Sequence, residues 1–233
     1  MAKVAADSPV KNHLLAALPH KEYKRLLPHL KLVSLGAKEV LHEPYQPIQY
    51  VYFPENGLIT NVVFTEDGAC AEVGVIGREG MTGICVFMGS STAPFKAVVQ
   101  IPGEAMRMEA AVFQAEARRN LPWGDLLLRY SQAVLCVVSQ SAACNLLHAV
   151  EKRCCRWLLM THDRMDSDEF PLTHETLGLM LGVHRQSITG VARSLSRRGL
   201  IHYRWGKVTI LDRHGLEAAA CECYQLIRQQ FRF

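Results

Sequence analysis

The feature that most constrains the fold is a stretch after Gly124 that holds neither glycine nor proline up to Glu151. Glycine and proline are the residues that most readily end a helix, so this stretch predicts a helix of about seven turns. Pro122 lies just before it, where a first helical turn tolerates proline. Its apolar and small residues recur at alternating spacings of three and four: Leu127, Tyr130, Val134, Val137, Ser141 and Cys144. This spacing is typical of a coiled-coil seam. We interpret residues 121–151 as a dimerisation helix; the alternative is a helix packed on its own barrel.

The region before this helix has a different sequence pattern, with a short helical stretch followed by many short β-rich runs. Residues 12–30 carry a helical pattern broken by Pro19 and Pro28. From about residue 33 to residue 108, short β-rich runs alternate with glycine, proline and Asn-Gly signals. These runs are Tyr50–Phe53, Leu58–Phe64, Ala69–Ile76, Ala97–Ile101 and Ala105–Met108. Strands at this spacing favour a jelly-roll or double-stranded β-helix barrel. Residues 110–120 are again helical, so we predict a barrel domain over residues 12–120 in an α+β protein.

The net positive charge of the chain comes from its last third. Residues 1–150 hold 13 basic and 13 acidic residues, whereas residues 151–233 hold 13 basic and 9 acidic ones. Such an asymmetry is a sign of nucleic-acid contact. We find no apolar run of signal-peptide or membrane-span length, so we expect a cytoplasmic protein without a membrane partner.

Within the basic third, the pattern of residues predicts a winged helix-turn-helix over residues 152–233. Thr173 is suited to cap a first helix with Glu175 near its positive end, and Gly182 allows the left-handed turn that ends it. A second helix is predicted from about Arg185 to Arg198. Gly199 stops it, and residues 200–203 and 208–211 then form a hairpin, the wing. Residues 163–171 are interpreted as the loop that precedes this unit.

No acidic residue lies between Glu175 and Asp212, although six basic ones do. The second helix would bury Ile188, Val191, Ala192 and Leu195. Its opposite face would present Arg185, Gln186, Thr189, Arg193 and Arg197. Arginine can pair with guanine and glutamine with adenine in a major groove. Arg204 and Lys207 lie at the tip of the wing, over phosphates. These features together predict binding to double-stranded DNA.

The run LTHETLGLMLGVHRQSIT (residues 172–189) resembles the DNA-binding end of Crp/Fnr-type bacterial transcription regulators. So do RGLI (198–201) and GKVTI (206–210). The resemblance extends over nearly the whole chain, and it implies a cyclic-nucleotide-binding-like barrel, a dimer helix and a winged helix in that order. It also implies a homodimer that binds an inverted repeat and contacts RNA polymerase.

The family's recognition helix opens with arginine, an acidic residue, and serine or threonine, with a second arginine a turn later. Arg185 and Ser187 match, whereas Gln186 replaces the acid and Gly190 replaces the second arginine. We expect Arg185, Gln186 and Ser187 to contact bases, with Thr189 and Gly190 alongside. The expected phosphate contacts are Arg193, Arg197, Arg204 and Lys207. The altered residues leave the operator sequence open.

The resemblance also implies an effector pocket, for which we assign Glu79, Gly80, Thr92 and Ala93. The family's nucleotide binders hold a ribose with glutamate and the phosphate with arginine, because a buried phosphodiester needs a paired guanidinium. Residues 77–81 (GREGM) supply the glutamate, but residues 90–94 (SSTAP) lack the arginine, and Lys96 is the nearest cation. We therefore do not expect cyclic AMP to bind, although a cyclic-nucleotide-responsive regulator stays open as the alternative, and the small-molecule effector is left unidentified.

Two other kinds of protein are weighed against a DNA-binding regulator. A cupin-like enzyme needs clustered histidines on facing strands, yet residues 33–108 contain only His42, and we find no catalytic motif. We therefore expect no enzyme, although a protein-binding scaffold stays open. The eight cysteines form no C-x-x-C pair and lack finger spacing, so we expect reduced, packed thiols and no metal or other cofactor. An iron–sulfur or redox role of these cysteines stays open as the alternative. Haem ligation by one of four histidines also stays open: His13, His20, His29 or His42.

Overall fold

The structure is a computed structural model that describes residues 10–119 and 121–232. The packing divides the chain into two compact units. The first takes in the described residues up to Val63, then Gly74–Val134 and the last residues from Phe231. The second takes in Phe64–Val73 and Leu135–Gln230. Our division by role into residues 12–120, 121–151 and 152–233 stays a prediction, and its first boundary falls on Asn120, outside the described residues.

The first unit contains most of the strands, framed by short helices. The helices are α1 (His13–Ala16), α2 (His20–Leu26), α3 (Ile84–Phe87), α4 (Ala110–Arg119) and the start of α5 (Leu121–Leu147). The strands are β1 (Lys31–Leu35), β2 (Val40–His42), β3 (Tyr50–Pro54), β4 (Leu58–Phe64), β5 (Cys70–Ile76), β6 (Lys96–Ile101) and β7 (Gly103–Glu109). Phe64 of β4 and residues 70–73 of β5 belong to the second unit. They form two sheets, ordered β1-β7-β3 and β2-β6-β4-β5. The pairs β1–β7, β3–β7, β2–β6 and β4–β6 are antiparallel.

The two sheets share a core because their strands alternate inward and outward residues. In β6, Ala97 and Val99 are buried between half-buried neighbours, as a period of two requires. They cluster with Tyr52 of the other sheet. Strand β3 has a core on both faces, because Val51 and Phe53 pack in the helical cluster on its other side. Its continuous apolar run is therefore that of a doubly buried strand.

An aromatic triad holds the start of α5 on the first unit. The ring centroids of Phe53, Phe113 and Trp123 lie 6.0–6.2 Å apart in tilted and edge-on pairs, the arrangements that aromatic rings prefer. Trp123 and Phe113 are fully buried. The three rings belong to the core cluster that joins α4 and α5 to β3.

The sequence pattern did not predict β1, β2 or the single helical turn of α3. The strands that it did predict match the structure within one or two residues. Strand β2 has three residues and one of them is His42, so it carries too few apolar positions for a pattern. The prediction of an α+β fold, with an antiparallel sheet domain first and a helix-turn-helix last, is confirmed.

The long helix α5 ends at Leu147, four residues earlier than predicted, because Ala149 is extended and begins the next helix. Two residues of the predicted seam are not available to a partner helix. Leu127 and Tyr130 are buried in the core of their own unit. The spacing alone did not distinguish a partner helix from the helix's own core. A different stripe of α5 is exposed: Leu121, Leu128, Leu135, Val138 and Leu146.

The second unit adds a small sheet and further helices to the later part of α5. They are α6 (Val150–His162), β8 (Glu169–Pro171), α7 (His174–Leu181), α8 (Arg185–Arg197), β9 (Ile201–Arg204), β10 (Lys207–Ile210), α9 (Arg213–Ala219) and α10 (Cys223–Arg228). The strands are ordered β8-β10-β9, all antiparallel. Residues 163–171 were predicted as a loop; this is wrong for β8, whose three residues are too few to show a strand pattern.

Helix α6 lies at the centre of the second unit, since all its residues from Arg153 to Thr161 are buried. Its Trp157 Nε1 donates to the Glu72 carboxylate at 3.1 Å, so residues 64–73 pack in this unit. Arg153 donates to the carbonyl of Leu181 at the end of α7. Over the two described ranges, no helix combines the length and the apolar character of a membrane span.

Candidate nucleic-acid interface

Three local features shape α7 and the turn that leads to α8. Thr173 Oγ1 accepts a hydrogen bond from the Thr176 amide at 3.0 Å and so caps α7. Gly182 ends the helix with φ of +63°, as predicted. The third feature was not predicted: a Cβ on Gly178 would lie 2.8 Å from the Val183 carbonyl oxygen. Only glycine therefore lets α7 pack this closely on the turn.

Helix α8 has one buried face and one exposed face. Ile188, Ala192 and Leu195 are buried beneath it, as predicted, whereas Val191, which was also predicted to be buried, is half-buried. Six of the assigned residues on this helix are exposed: Arg185, Gln186, Ser187, Gly190, Arg193 and Arg197. Space is open around Gly190, where an added Cβ would meet no atom within 4 Å. The structure therefore brings these side chains to one accessible surface, and their contacts with bases and phosphates stay a prediction.

Thr189 is half-buried, and its hydroxyl is already engaged. Thr189 Oγ1 donates to the Arg185 carbonyl at 3.1 Å and lies 3.1 Å from His174 Nδ1. The His174 ring stacks on Tyr203 at 4.2 Å, and the Tyr203 hydroxyl donates to the Leu172 carbonyl at 2.7 Å. This chain of contacts ties the head of α8 to α7 and to the wing.

His174 is a residue of this interface that sequence reasoning missed. Burial, reinforced by the nearby Arg185 cation, lowers the pKa of His174 below its ordinary value. Both causes favour the neutral imidazole. The only signal in the sequence was its position directly after the capping residue Thr173.

The wing is a hairpin with a two-residue turn. Trp205 has φ of +50° and Gly206 has φ of +73°, the pair of positive values that a type I′ turn requires. The Trp205 side chain is 86% exposed, and the Arg204 guanidinium lies 3.9 Å from the centre of its ring. Lys207 Nζ contacts the Glu169 carboxylate at 2.7 Å. Both cations at the wing tip therefore have a partner within the chain.

The segment between Glu175 and Asp212 has no acidic residue of its own, but acidic residues from elsewhere in the chain contact it. Glu169 reaches Lys207 from β8, and Glu151 pairs with Arg198 at 2.8 Å from α6. By contrast, within residues 10–119 and 121–232 no ion pair involves Arg185, Arg193 or Arg197. The uncompensated charge of this surface is therefore concentrated on α8.

The residues assigned to an effector pocket lie in two turns of the first unit. Glu79 is buried, and its carboxylate accepts from the Gly77 amide at 3.1 Å. The Tyr130 ring covers Gly80, where an added Cβ would lie within 2.8 Å of it. The Tyr130 hydroxyl also bonds both the amide and the carbonyl of Met81, at 3.1 and 3.0 Å.

In the other turn Ala93 is buried and Thr92 is half-buried, and the Thr92 amide donates to Ser90 Oγ at 3.3 Å. Lys96, the nearest cation in sequence, contacts the Glu43 carboxylate at 3.1 Å. A small-molecule site formed by Glu79, Gly80, Thr92 and Ala93 stays a prediction.

The structure also brings together cysteines that the sequence left apart. Cys144, Cys221 and Cys223 are buried in one cluster, and His148 lies beside them. Our expectation of no metal site rested on spacing in the sequence, and it did not foresee this arrangement. Burial is the main cause that raises the pKa of Cys144 to about 12 and raises that of Cys221. The one available signal was the i, i+4 pair of Cys144 and His148, which share a helix face.

Comparisons with known proteins agree with this architecture. Residues 152–219 match the Crp-like helix-turn-helix domain. No curated protein matches the sequence.

Several solved structures share the fold. A protein from Eubacterium rectale assigned to the Crp/Fnr family of transcriptional regulators is 19% identical, with a TM-score of 0.68 over 89% of this chain and 97% of that one. FixK2 from Bradyrhizobium japonicum is 14% identical, with a TM-score of 0.68 over 82% and 98%. The CRP-family regulator TTHB099 from Thermus thermophilus is 19% identical, with a TM-score of 0.66 over 81% and 96%. Residues 152–219 therefore match the Crp-like helix-turn-helix domain, and the chain has the fold of solved structures of Crp/Fnr-family transcriptional regulators, as the resemblance implied.

Proposed function

We propose that this protein is a sequence-specific DNA-binding regulator of transcription that acts as a homodimer on an inverted-repeat operator. One observation carries the proposal: the exposed face of α8 presents arginines that no acidic side chain of the described chain neutralises. A phosphate backbone supplies the missing negative charge. The Crp-like helix-turn-helix domain that contains α8 suits this helix for entry into a major groove.

The assigned residues divide by where they lie on the helix and the wing. Arg185, Gln186 and Ser187 are exposed in the first turn of α8, the end of a recognition helix that reaches base edges. The Thr189 hydroxyl is held within the chain, so we assign Thr189, with Gly190, to the margin of the base-reading surface.

The phosphate-contacting set lies further from the helix start. Arg193 and Arg197 follow along the same exposed face of α8. Arg204 and Lys207 lie at the wing tip and would give up or share their partners within the chain when DNA binds. Contacts of this second set fix the position of the protein on the duplex without reading its sequence.

The dimer would form along the exposed stripe of α5 rather than along the seam that the sequence suggested. Leu128 and Leu135 are seven residues apart and are 60% and 62% exposed, and Val138 and Leu146 continue the stripe. A heptad spacing of large apolar side chains on an open helix face is what a parallel partner helix covers. Two copies paired there would present two recognition helices to major grooves about 34 Å apart, one turn of DNA.

The remaining parts of the function follow from the same assignment. The first unit would sense a small molecule, at a site that includes Glu79, Gly80, Thr92 and Ala93. The protein would work in the cytoplasm, with RNA polymerase as its partner at the promoter. It would act by binding, without catalysing a reaction.

The proposal is tested by footprinting the native protein on genomic DNA and then measuring one variant on the recovered site. Arg185→Ala should lower the preference for operator over random DNA by about 1–3 kcal/mol, since a bidentate base contact is worth that much. Arg118→Ala removes an exposed arginine from α4 in the other unit and serves as the matched control. An unchanged specificity ratio for Arg185→Ala at fixed salt would show that this residue does not read bases. Half-sites that lack inverted symmetry would contradict the homodimer.

A further inference from the structure

Four side chains in the second unit form a cluster with the composition of a metal site. Cys144 lies near the end of α5 and His148 directly follows that helix, whereas Cys223 begins α10 and Cys221 lies just before it. Each offers one ligand atom, and the four atoms all lie within 4.8 Å of one another. The three cysteines are buried, so their sulfur atoms face each other and not the solvent.

Two of the separations between these atoms are close to the edges of a tetrahedron around one ion, and the widest reaches 4.8 Å. With metal–sulfur bonds of about 2.3 Å and metal–nitrogen bonds of about 2.0 Å, a tetrahedral site places two sulfurs about 3.8 Å apart and a sulfur and a nitrogen about 3.5 Å apart. Here Cys144 Sγ lies 3.5 Å from Cys221 Sγ. Cys223 Sγ lies 3.6 Å from His148 Nδ1. A disulfide would need the two sulfurs at about 2.0 Å.

The side chains around the cluster orient its ligands. His148 Nε2 lies 3.3 Å from the Glu222 carboxylate, which leaves Nδ1 to face the sulfur atoms. A histidine that donates one ring N–H to a carboxylate and binds a metal through the other nitrogen is a recurrent arrangement in metalloproteins. Gln140 Nε2 donates to Cys223 Sγ at 3.0 Å, a hydrogen bond that stabilises a thiolate.

The charges near the cluster also suit a bound ion. Three thiolates and one divalent cation leave a net charge of about −1, which is costly to bury without compensation. The guanidinium of Arg156 is buried and reaches Ser141 of α5, three residues before Cys144, at 3.4 Å. A cation at this position offsets the negative charge of the loaded site.

We propose that Cys144, His148, Cys221 and Cys223 bind one zinc ion in a closed, structural site. Thiolate and imidazole ligands select zinc among the common divalent ions, and four protein ligands leave no position for a substrate. Binding would release the thiol protons to solvent, because only thiolates coordinate the metal. The ion would fasten the end of α5 to the start of α10, two segments that are far apart in sequence.

The first test measures metal in the full-length protein purified without chelators. We expect about one zinc per chain by elemental analysis, and less than a tenth of that in the double variant Cys221→Ser/Cys223→Ser. Cys70→Ser makes the same chemical change outside the cluster and should keep the zinc. Removing zinc from the wild-type protein with a chelator should lower the melting temperature of the second unit, and added zinc should restore it.

The second test does not depend on the variants folding. The wild-type protein, stripped of metal under reducing conditions, is titrated with Co²⁺. We expect a one-to-one end point with sulfur-to-cobalt charge-transfer absorption and the intense visible bands of tetrahedral cobalt. An absent charge-transfer band overturns the proposal, as does zinc retained by the double variant. A native Cys144–Cys221 disulfide would also overturn it, and iron or copper at full occupancy would overturn the choice of zinc.

Discussion

Replacing Glu169 by glutamine should tighten DNA binding. The Glu169 carboxylate pairs with Lys207, the wing cation that we expect to contact a DNA phosphate. Lys207 Nζ lies 2.7 Å from the Glu169 carboxylate, and the two side chains are 59% and 48% exposed. Glutamine keeps the shape of the side chain and removes its charge. Residue 169 pairs through its backbone with Thr209, so strand β8 stays in place.

The size of the effect follows from the exposure of the pair. An exposed ion pair is worth about 0.2–1 kcal/mol, which is the energy that Lys207 gives up when it turns to a phosphate. A homodimer has two wings, so the gain is about 0.4–2 kcal/mol, or about 2- to 30-fold in Kd. Removal of the repulsion between the Glu169 carboxylate and DNA acts in the same direction.

The measurement is a fluorescence anisotropy titration of an operator duplex at several salt concentrations. Glu169→Gln should bind more tightly than the parent, and the gain should disappear when Lys207→Ala is introduced as well. Lys207→Ala alone should reduce the slope of log K against log salt by about 0.9 for each phosphate that the protein no longer neutralises. An equal gain in the Lys207→Ala background would refute this reasoning, because the effect would then be one of net charge alone. An unchanged Kd would refute it too.

Two further predictions concern the dimer face and His174. Leu128→Glu combined with Leu135→Glu should convert the dimer to a folded monomer, since both side chains are exposed and a charge cannot be buried in the seam; sedimentation analysis showing a dimer would exclude this face. Burial and Arg185 lower the pKa of His174 in the folded protein. The neutral imidazole therefore contributes to the free energy of unfolding above about pH 6.5, the pKa of an unperturbed histidine. That contribution is lost as the pH falls through the lowered pKa of the folded state. The melting temperature of His174→Gln should therefore fall less than that of the parent between about pH 7.5 and pH 5, and equal falls would contradict it.

The helix-turn-helix was predictable because its signals are local. A cap at Thr173 and glycines at Gly182 and Gly199 fix backbone conformations through the residues themselves, and all three adopt the expected geometry. The periodic burial of α8 is equally local, so its end was placed within one residue. Once the buried face of such a helix is known, the opposite, exposed face gives the candidate DNA-contact residues.

The features that sequence reasoning missed depend on residues far apart in the chain. Strand β8 exists because β10 pairs with it from across the winged helix. The partner of Lys207 is Glu169, 38 residues earlier. The cysteine cluster joins segments with no shared motif, and no periodicity reveals which cysteines meet. The predicted seam of α5 includes the buried residues Leu127 and Tyr130 for the same reason, since only the packed core shows which apolar face of the helix is used.

The division into units has a consequence for how the protein can be dissected. Residues 64–73 belong to the second unit although the chain on both sides belongs to the first, and the last residues, from Phe231, return to the first unit. No single cleavage of the backbone can therefore release either half intact. A fragment that begins at residue 152 leaves behind Glu72, the acceptor of the Trp157 hydrogen bond, together with the later part of α5. A chimeric protein that receives only residues 152–233 would therefore contain an incomplete core of the second unit.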